Sequence, residues 1–338
     1  MSLDWVDNVV IGCWQLSEGH TTRSLSGPNV LEAYYHAGFR VFDCADIYTG
    51  VESLLGEFIA AHQLGAEDIK VHTKYVPDLA SLATLTPDQT ERVIDRSRSR
   101  LGLDRLDLIQ FHWWDYEVPG YLETLDTLVE LKRDGKIREI GLTNFDAERL
   151  AEMVARDIPI ASIQTQYSVL DRRPASSLAA LAEENAIALL CYGSVAGGLL
   201  SDRFLGAPKP EQPFENRSLA KYLPIVEEIG SWSALQQLLR VMREIADEKE
   251  TDIASVAAAY SSGRDGVRAC IIGVRHTGHL QRHLALREGI MLEQGDLARI
   301  ESVRRNFREV PGSVYELERD VDGKHNKIMK FNLNAGPA

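Results

Sequence analysis

The chain is poor in cysteine and holds no long apolar run, and each shortage excludes a class of protein. Its four cysteines lie far apart and form no C-x-x-C pair: Cys13, Cys44, Cys191 and Cys270. This spacing argues against a disulfide framework and against a metal held by cysteines, so we expect free, buried thiols in a reducing compartment. No apolar run reaches the ~18 residues that a membrane-spanning helix needs.

Positive charge is also in short supply. The 338 residues carry 37 Lys and Arg against 50 Asp and Glu, a formal net charge of −13. This balance argues against nucleic acid or an anionic membrane as a partner. A small anionic ligand stays allowed, because a local cationic pocket can exist on an acidic protein. The first residues show no basic region followed by an apolar run, so we expect no signal peptide and a cytoplasmic location.

What the chain does contain is a regular alternation of short β-branched runs and longer segments of helical period. The strand candidates are residues 9–16, 39–46, 69–75, 105–114, 137–144, 162–168, 187–194 and 268–275. Strand–helix alternation predicts a parallel sheet. Eight units favour a closed (β/α)8 barrel, the TIM barrel, over an open doubly wound sheet. No G-x-G-x-x-G follows the first strand, where an open dinucleotide-binding sheet would carry it.

Two segments stand outside this alternation. The connection from Val195 to about Trp232 is long and rich in Pro and Gly, which is typical of a lid or binding loop; a disordered insertion is the alternative. A barrel domain over 1–310 would leave a tail over 311–338. The D-G turn in "DVDGKH" suggests a β-hairpin in this tail. We expect an outer decoration, with a wall of the barrel mouth or a subunit contact as alternatives.

Polar side chains gather at the predicted carboxyl ends of the strands, where barrel enzymes hold their chemistry. Four of them are titratable: Asp43, Tyr48, Lys74 and His112. A tyrosine has an unperturbed pKa of about 10, which a nearby ammonium lowers, and a buried ammonium needs a carboxylate beside it. We therefore expect Asp43 to hold Lys74, and Lys74 to tune Tyr48 as a proton donor and acceptor. The alternative is a buried ion pair, a loop anchor and a core histidine without chemistry.

The motifs around these residues resemble those of the aldo-keto reductase family. The stretch "FDCADIYTGVESLLGEF" is similar to the family signature D-x-A-x-x-Y-G-x-E-x-x-L-G, with Thr49 between Tyr48 and Gly50. "VHTKY" and "LIQFHWWD" resemble the strands that carry the catalytic lysine and histidine of the family. "GKIREIGLTNFD", "QTQYSVLDR" and "YGSVAGGLLS" resemble three further motifs. The resemblance runs from about residue 9 to about residue 307.

This resemblance implies an oxidoreductase that transfers hydride between C4 of a nicotinamide cofactor and the carbonyl carbon of an aldehyde, ketone or sugar. Tyr48 would be the general acid, and His112 would orient the carbonyl oxygen. The cofactor-binding residues that it implies are Trp14, Thr143, Asn144, Gln164, Tyr192, Gly193, Ser194, Gly198, Leu200, Gly273, Val274, Arg275, His279 and His283. A non-catalytic sensor of the same cofactor is the alternative, and an aldolase that works through a lysine Schiff base is a third reading.

Within the implied cofactor site, Thr143, Asn144 and Gln164 would bind the nicotinamide carboxamide and Tyr192 would stack on its ring. Arg275 would clamp a 2′-phosphate, which favours NADP(H). NAD(H) stays the alternative, because His279 and His283 stand where the family commonly has Gln or Arg and Asn.

The remaining candidates are histidines and tryptophans. His276 lies near His279 and His283, but their spacing does not place all three on one helix face, so no metal is expected. His72 should point into the barrel as a hydrogen-bonded core residue. Trp113 and Trp114 should offer an apolar wall to the substrate, with packing under a loop as the alternative.

Overall fold

A closed barrel of eight parallel strands forms the centre of the computed structural model, which describes residues 3–20 and 27–334. The strands are β1 Val9–Gly12, β2 Val41–Asp43, β3 Lys70–Tyr75, β4 Leu106–Phe111, β5 Ile137–Thr143, β6 Ile160–Gln166, β7 Ala188–Tyr192 and β8 Val267–Gly273. They pair in chain order, and β8 closes the barrel against β1. The predicted fold class is confirmed, although several strands are shorter than the segments from which they were predicted.

Helices pack around the barrel, and one α-helix follows each of the first six strands. The helices are α1 Gly27–His36, α2 Val51–Ala61, α3 Pro87–Leu101, α4 Tyr121–Arg133, α5 Ala147–Ala155, α6 Ser177–Glu184, α7 Arg217–Glu228, α8 Trp232–Glu248, α9 Ile253–Ser262, α10 Leu280–Gly289, α11 Gln294–Arg304 and α12 Glu316–Arg319. Local sequence fixes several of their ends. The side chain of Asp146 accepts from the Arg149 amide at the start of α5. Gly135 follows α4 with φ 81°, a conformation that suits glycine.

The long connection after β7 is ordered and carries α7. This helix lies directly on the turn that follows β7. A Cβ atom at Gly193 would come within 2.7 Å of the Tyr222 hydroxyl, and one at Gly197 within 2.6 Å of the same ring. Both glycines also have positive φ, 75° and 63°. Only glycine therefore allows α7 to approach this turn so closely.

The tail crosses the mouth of the barrel, and its described part forms no β-hairpin. A turn does occur at Gly323, whose amide donates to the Asp320 carbonyl. The chain beyond the turn then bonds to the loop after β3 and to α7. The Leu79 amide donates to the Phe331 carbonyl at 2.9 Å, and Arg217 donates to the Ile328 carbonyl at 2.9 Å. The expectation of an outer decoration is therefore wrong, and the alternative of a wall at the mouth is the arrangement observed.

The opposite end of the barrel is closed by the residues before β1, and His72 lies buried above them. Its ring meets Trp5 edge-on, with centroids 5.3 Å apart. His72 is fully buried, yet neither ring nitrogen has a hydrogen-bond partner among the described residues. The expected hydrogen bond is thus not formed by either ring nitrogen. Among the described residues, no helix has the length and apolar character needed to cross a bilayer.

The buried His72 makes folding sensitive to acid. Burial lowers the pKa of His72 from 6.5 to about 4. Between these two values the unfolded chain binds a proton that the folded chain does not, so stability falls as the pH falls from about 6.5 to about 4, by up to about 3 kcal/mol. We expect His72→Leu to keep or raise the free energy of unfolding at pH 7 and to remove about one proton from its pH dependence.

Urea unfolding at pH 7.5, 6 and 5 measures this effect. The control is His36→Gln, which removes an exposed histidine and should leave the slope as in the wild type. A His72→Leu protein that loses stability with the same slope as the wild type contradicts the assignment.

Candidate active site

A pocket opens at the carboxyl ends of the strands, and most of the predicted site residues line it. The predicted residues on its wall are Trp14, Asp43, Tyr48, Lys74, His112, Trp114, Thr143, Asn144, Gln164, Tyr192, Gly193 and Gly273. These side chains come from all eight strands or from the turns just after them. The topology of the barrel thus gathers at one rim residues that are up to 261 positions apart between Gly12, also on the wall, and Gly273.

Lys74 is held in place by Asp43, as expected. Its Nζ lies 2.6 Å from Asp43 Oδ1 and also donates to the Cys44 carbonyl at 2.8 Å. Both side chains are buried. Burial alone lowers the pKa of Lys74, but the fields of Asp43 and Tyr48 outweigh it, so the pKa ends above its usual value. A Schiff-base lysine needs a neutral amine, and this pairing therefore argues against the aldolase reading.

Two glutamine amides hold the second oxygen of Asp43. Gln110 Nε2 donates to Asp43 Oδ2 at 2.8 Å, and Gln164 Nε2 donates to the same atom at 2.7 Å. The two glutamines also bond to each other, from Gln164 Nε2 to Gln110 Oε1 at 2.8 Å. The carboxylate is therefore fixed on both oxygens, by an ammonium on one side and by amides on the other.

The Tyr48 phenol faces the pocket from the turn before α2. Lys74 Nζ lies 5.0 Å from the centroid of its ring. Burial raises the pKa of Tyr48, Lys74 lowers it, and Asp43 raises it; the net pKa lies above the usual 10. The expectation that the lysine makes the phenol more acidic than usual is therefore not met, because burial outweighs the ammonium. At neutral pH Tyr48 is a protonated donor.

His112 is a neutral hydrogen-bond acceptor on the pocket side. Its Nδ1 lies 3.1 Å from the Thr143 carbonyl oxygen, and because that oxygen can only accept, Nδ1 carries the hydrogen. Burial and the nearby Arg319 lower the pKa of His112 to about 3. Nε2 therefore holds a lone pair, and it has no partner among the described residues. This tautomer does not support the expectation that His112 orients the carbonyl oxygen, because Nε2 has no hydrogen to donate to it.

The two tryptophans after β4 lie in different environments. Trp114 lines the pocket, meets His112 edge-on with centroids 4.5 Å apart, and donates to the Pro77 carbonyl. Trp113 is fully buried outside the pocket and donates to the Val118 carbonyl. Alternate side chains of an extended segment point to opposite sides, so only one of the two neighbours can face the barrel mouth. The structure thus assigns the pocket wall to Trp114 and core packing to Trp113.

On the same pocket wall as Tyr48, the ring of Tyr192 lies with the side chains of Asn144 and Thr143. Tyr192 donates to Asn144 Oδ1 at 2.8 Å and presents its ring to the pocket. Asn144 has φ 63°, a left-handed conformation that is uncommon outside glycine. The Thr143 hydroxyl is buried without a partner among the described residues. An unsatisfied hydroxyl, an amide and an aromatic face fit a planar ring that carries a carboxamide.

A second cavity adjoins the pocket and shares Gln15, Val195, Gly197 and Gly273 with it. The predicted residues that line it are Gly198, Gly273, Arg275, His279 and His283. Three other predicted cofactor residues line neither cavity, since each is buried against the protein on its other side: Ser194, Leu200 and Val274.

Among the described residues, the histidines of this second cavity do not belong to a group of side chains close enough to share a metal ion. Burial lowers the pKa of His279 and of His283 to about 4, and His283 bonds to the Tyr34 hydroxyl at 2.8 Å. Among the described residues, the groups close enough to share an ion are Glu32, His36 and His62, which are exposed and line neither cavity.

The sequence of the chain matches a known family over most of its length. The profile of the Aldo/keto reductase family covers residues 8–305. The chain belongs to the aldo/keto reductase family. Its members are NAD(P)-dependent oxidoreductases of small carbonyl compounds, so this aldo-keto reductase is an enzyme that uses a nicotinamide cofactor. Membership therefore favours turnover over the alternative of a non-catalytic sensor.

Individual relatives include named reductases and a protein named for the flagellum. Flagellar radial spoke protein 5 of Chlamydomonas reinhardtii is 30% identical over 254 residues, which are 64% of this chain and about half, 48%, of that protein. The NADH-specific methylglyoxal reductase of Escherichia coli K12 is 28% identical over 64% of this chain and 74% of its own length. The holo form of the aldo-keto reductase AKR11C1 from Bacillus halodurans shares the fold, with a TM-score of 0.70 and 22% identity over 93% of this chain and 95% of that one.

Several residues of the reductase site escaped the sequence analysis. Gln110 had a usable signal, because it lies two residues before His112 on one strand and must share its face. The sequence marked the long connection and the tail as candidates for the barrel mouth, but no local pattern showed which of their residues reach the pocket; these residues include Arg217, Lys221, Tyr222, Tyr315, Ile328 and Met329.

The contact between Gln110 and Asp43 yields a test of the buried network. Gln110→Met keeps the volume but removes a donor to a buried carboxylate, so we expect the free energy of unfolding to fall by about 1–3 kcal/mol. Urea unfolding at pH 7.5 measures the loss, with the exposed Gln281→Met as the matched control. If both variants unfold at the wild-type urea concentration, Gln110 merely fills space.

Proposed function

We propose that this enzyme reduces the carbonyl group of a small aldehyde, ketone or sugar, with hydride from the nicotinamide cofactor and a proton from Tyr48. The observation that carries the proposal is the protonated Tyr48 phenol, which faces the pocket beside the Lys74 ammonium. Hydride would add to the carbonyl carbon while the phenol proton moves to the oxygen, so the product is the alcohol. The reverse reaction uses the same groups in the opposite order.

Lys74 would act after the proton has left. The phenolate that remains lies beside a buried ammonium, whose charge stabilises it as it forms. Asp43 keeps that ammonium in place and neutralises it in the resting enzyme. Lys74 thus lowers the cost of losing the proton, while burial keeps the phenol protonated until a carbonyl oxygen arrives.

His112 would accept a hydrogen bond rather than donate one. Its Nε2 lone pair suits the hydroxyl of the alcohol, or of Tyr48 before transfer. A carbonyl oxygen beside this lone pair would gain nothing, so Tyr48 is the donor that the carbonyl oxygen must use. The edge-on contact with Trp114 holds the imidazole in this position.

The cofactor supplies the hydride when it is bound, and the chain's own residues hold its nicotinamide. Tyr192 would support one face of the ring, and the free Thr143 hydroxyl and the Asn144 amide would bind the carboxamide. Gln164 Nε2 donates to Asp43 and to Gln110, so the Oε1 atom of Gln164 would accept a hydrogen bond from the carboxamide.

Replacement of the phenol tests the proposed donor. We expect Tyr48→Phe to lower kcat for reduction by about 100- to 10,000-fold, the usual contribution of a general acid. The dissociation constant of the cofactor should stay near that of the wild type, as measured by quenching of tryptophan fluorescence. Initial rates against a panel of aldehydes, ketones and sugars with NADPH and NADH measure the loss. Full turnover by Tyr48→Phe would refute the role.

We further propose that the enzyme prefers NADP(H), through Arg275 in the second cavity. The same cavity holds an opposing charge, because Glu215 lies 3.7 Å from the Arg275 guanidinium and also pairs with Arg203. A carboxylate repels a 2′-phosphate but can accept from a ribose hydroxyl. The preference should therefore be moderate, and NAD(H) stays usable.

Two variants test this balance. Glu215→Gln should tighten NADPH binding by about tenfold relative to NADH, because it removes a repulsion and frees Arg275. Arg275→Met should weaken NADPH binding selectively by a similar factor. Dissociation constants of both cofactors come from fluorescence titration. An Arg275→Met protein that loses both cofactors equally contradicts the assignment of Arg275 to the 2′-phosphate.

A further inference from the structure

Lys221 is a cation in the pocket that contains Tyr48 and His112, here called the carbonyl pocket. No carboxylate of a described residue forms an ion pair with it. It lies on α7, and its Nζ approaches three aromatic rings, with centroid distances of 4.4 Å to Tyr192, 5.7 Å to Tyr222 and 5.9 Å to Trp14. No described residue gives it a hydrogen bond or an ion pair. Aromatic faces attract a cation more weakly than a carboxylate does, so its charge is left without a full partner.

The carboxylates whose fields reach Lys221 are already engaged. Glu318 and Asp171 are both paired with Arg173, at 3.4 Å and 2.8 Å. Burial is the main cause that lowers the pKa of Lys221, to about 8. The amine is therefore still mostly charged at neutral pH, and an anion bound beside it would stabilise this charge.

A second cation stands one turn away on the same helix. Arg217 lines the same pocket, where its guanidinium lies 5.9 Å from the Trp14 ring and donates to the Ile328 carbonyl. No carboxylate of a described residue lies within ion-pair distance of Arg217. Lys221 and Arg217 are thus two positive charges without an ion-pair partner among the described residues, on a wall that also carries Lys330 and the carboxylate of Glu18, in a chain whose formal net charge is −13.

The position of Lys221 indicates which anion it would meet. It lines the pocket that contains Tyr48 and His112, and it does not line the second cavity, where Arg275 and the other predicted adenosine contacts lie. An anion at Lys221 would therefore belong to the substrate or to the nicotinamide half of the cofactor, and not to its adenosine half.

We propose that Lys221 and Arg217 form an anion subsite of the carbonyl pocket, and that the natural substrate carries a carboxylate or phosphate group besides its carbonyl. This inference rests on the proposed reductase function for its substrate, but the subsite itself is a matter of binding alone. A desolvated ammonium that lacks a partner gains most from a ligand that supplies one. The pyrophosphate of the cofactor has the same chemistry, and the experiment must separate the two sources.

The kinetic arm compares 4-formylbenzoate with its neutral methyl ester. The wild type should favour the carboxylate in kcat/KM, and Lys221→Met should lower the ratio of the two kcat/KM values by about 10- to 100-fold, the usual effect of a charge-assisted hydrogen bond. Lys221→Arg keeps the charge and should restore most of the ratio. Arg217→Met gives an independent variant, and the exposed Lys327→Met is the matched control in the neighbouring tail.

The binding arm uses benzoate and benzamide, which cannot be reduced, and follows the fluorescence of tryptophans that line the pocket. The wild type should bind benzoate more tightly, and Lys221→Met should abolish the difference. Dissociation constants of NADPH and NADH are measured on the same variants. A wild type that prefers the ester and benzamide overturns the proposal. So does a Lys221→Met protein with an unchanged ratio and weaker cofactor binding, since the lysine then serves the cofactor phosphates.

The experiment gives a different result if the proposed reductase function, and not the anion subsite, is wrong. In that case the wild type reduces neither aldehyde with either cofactor, yet it still binds benzoate over benzamide in a manner that depends on Lys221. Loss of both reduction and selective binding overturns the anion subsite as well.

Discussion

The buried pair of Lys74 and Asp43 is the contact on which the rest of the site depends. Removal of a single ammonium or carboxylate from water costs free energy. Loss of one partner of a buried pair leaves the other charge uncompensated, which destabilises the fold by about 3–5 kcal/mol. The structure meets this cost by engaging both carboxylate oxygens, one with Lys74 Nζ and the other with Gln110 and Gln164. Four strands, β2, β3, β4 and β6, are thereby tied together at one level of the barrel.

Elements from outside the barrel complete what the strand ends begin. The tail reaches the rim through Arg319, which donates to the carbonyls of Trp113 and Asn144 and lowers the pKa of His112. From the other side, α7 rests on the turn after β7 and supplies Lys221. In the proposed mechanism the barrel would provide the proton chemistry, while the tail and α7 would set the charge and shape of the molecules that enter the pocket. On that proposal, variation of these two segments would change the substrate and leave the chemistry intact.

The sequence allowed much of this to be predicted, and the limits have physical causes. Periodicity gave the eight strands, and the rule that strand ends share a rim brought Asp43, Lys74 and His112 together correctly. Alternation along a strand would also have separated Trp113 from Trp114 and paired Gln110 with His112. The path of the tail could not be read, because its partners are distant carbonyls and no local pattern encodes them. The net pKa of Tyr48 was equally hidden, since it depends on how much water burial removes.

The pKa of Tyr48 determines whether this side chain holds a proton before the reaction. If the lysine alone set the acidity, Tyr48 would approach the phenolate and serve the oxidation of alcohols best. Burial opposes the lysine and wins, so the resting phenol keeps its proton. His112, neutral and hydrogen-bonded through Nδ1, cannot supply a competing one. In the proposed reduction, a carbonyl oxygen would take its proton from the Tyr48 phenol, and the Lys74 ammonium beside that phenol would stabilise the phenolate that forms.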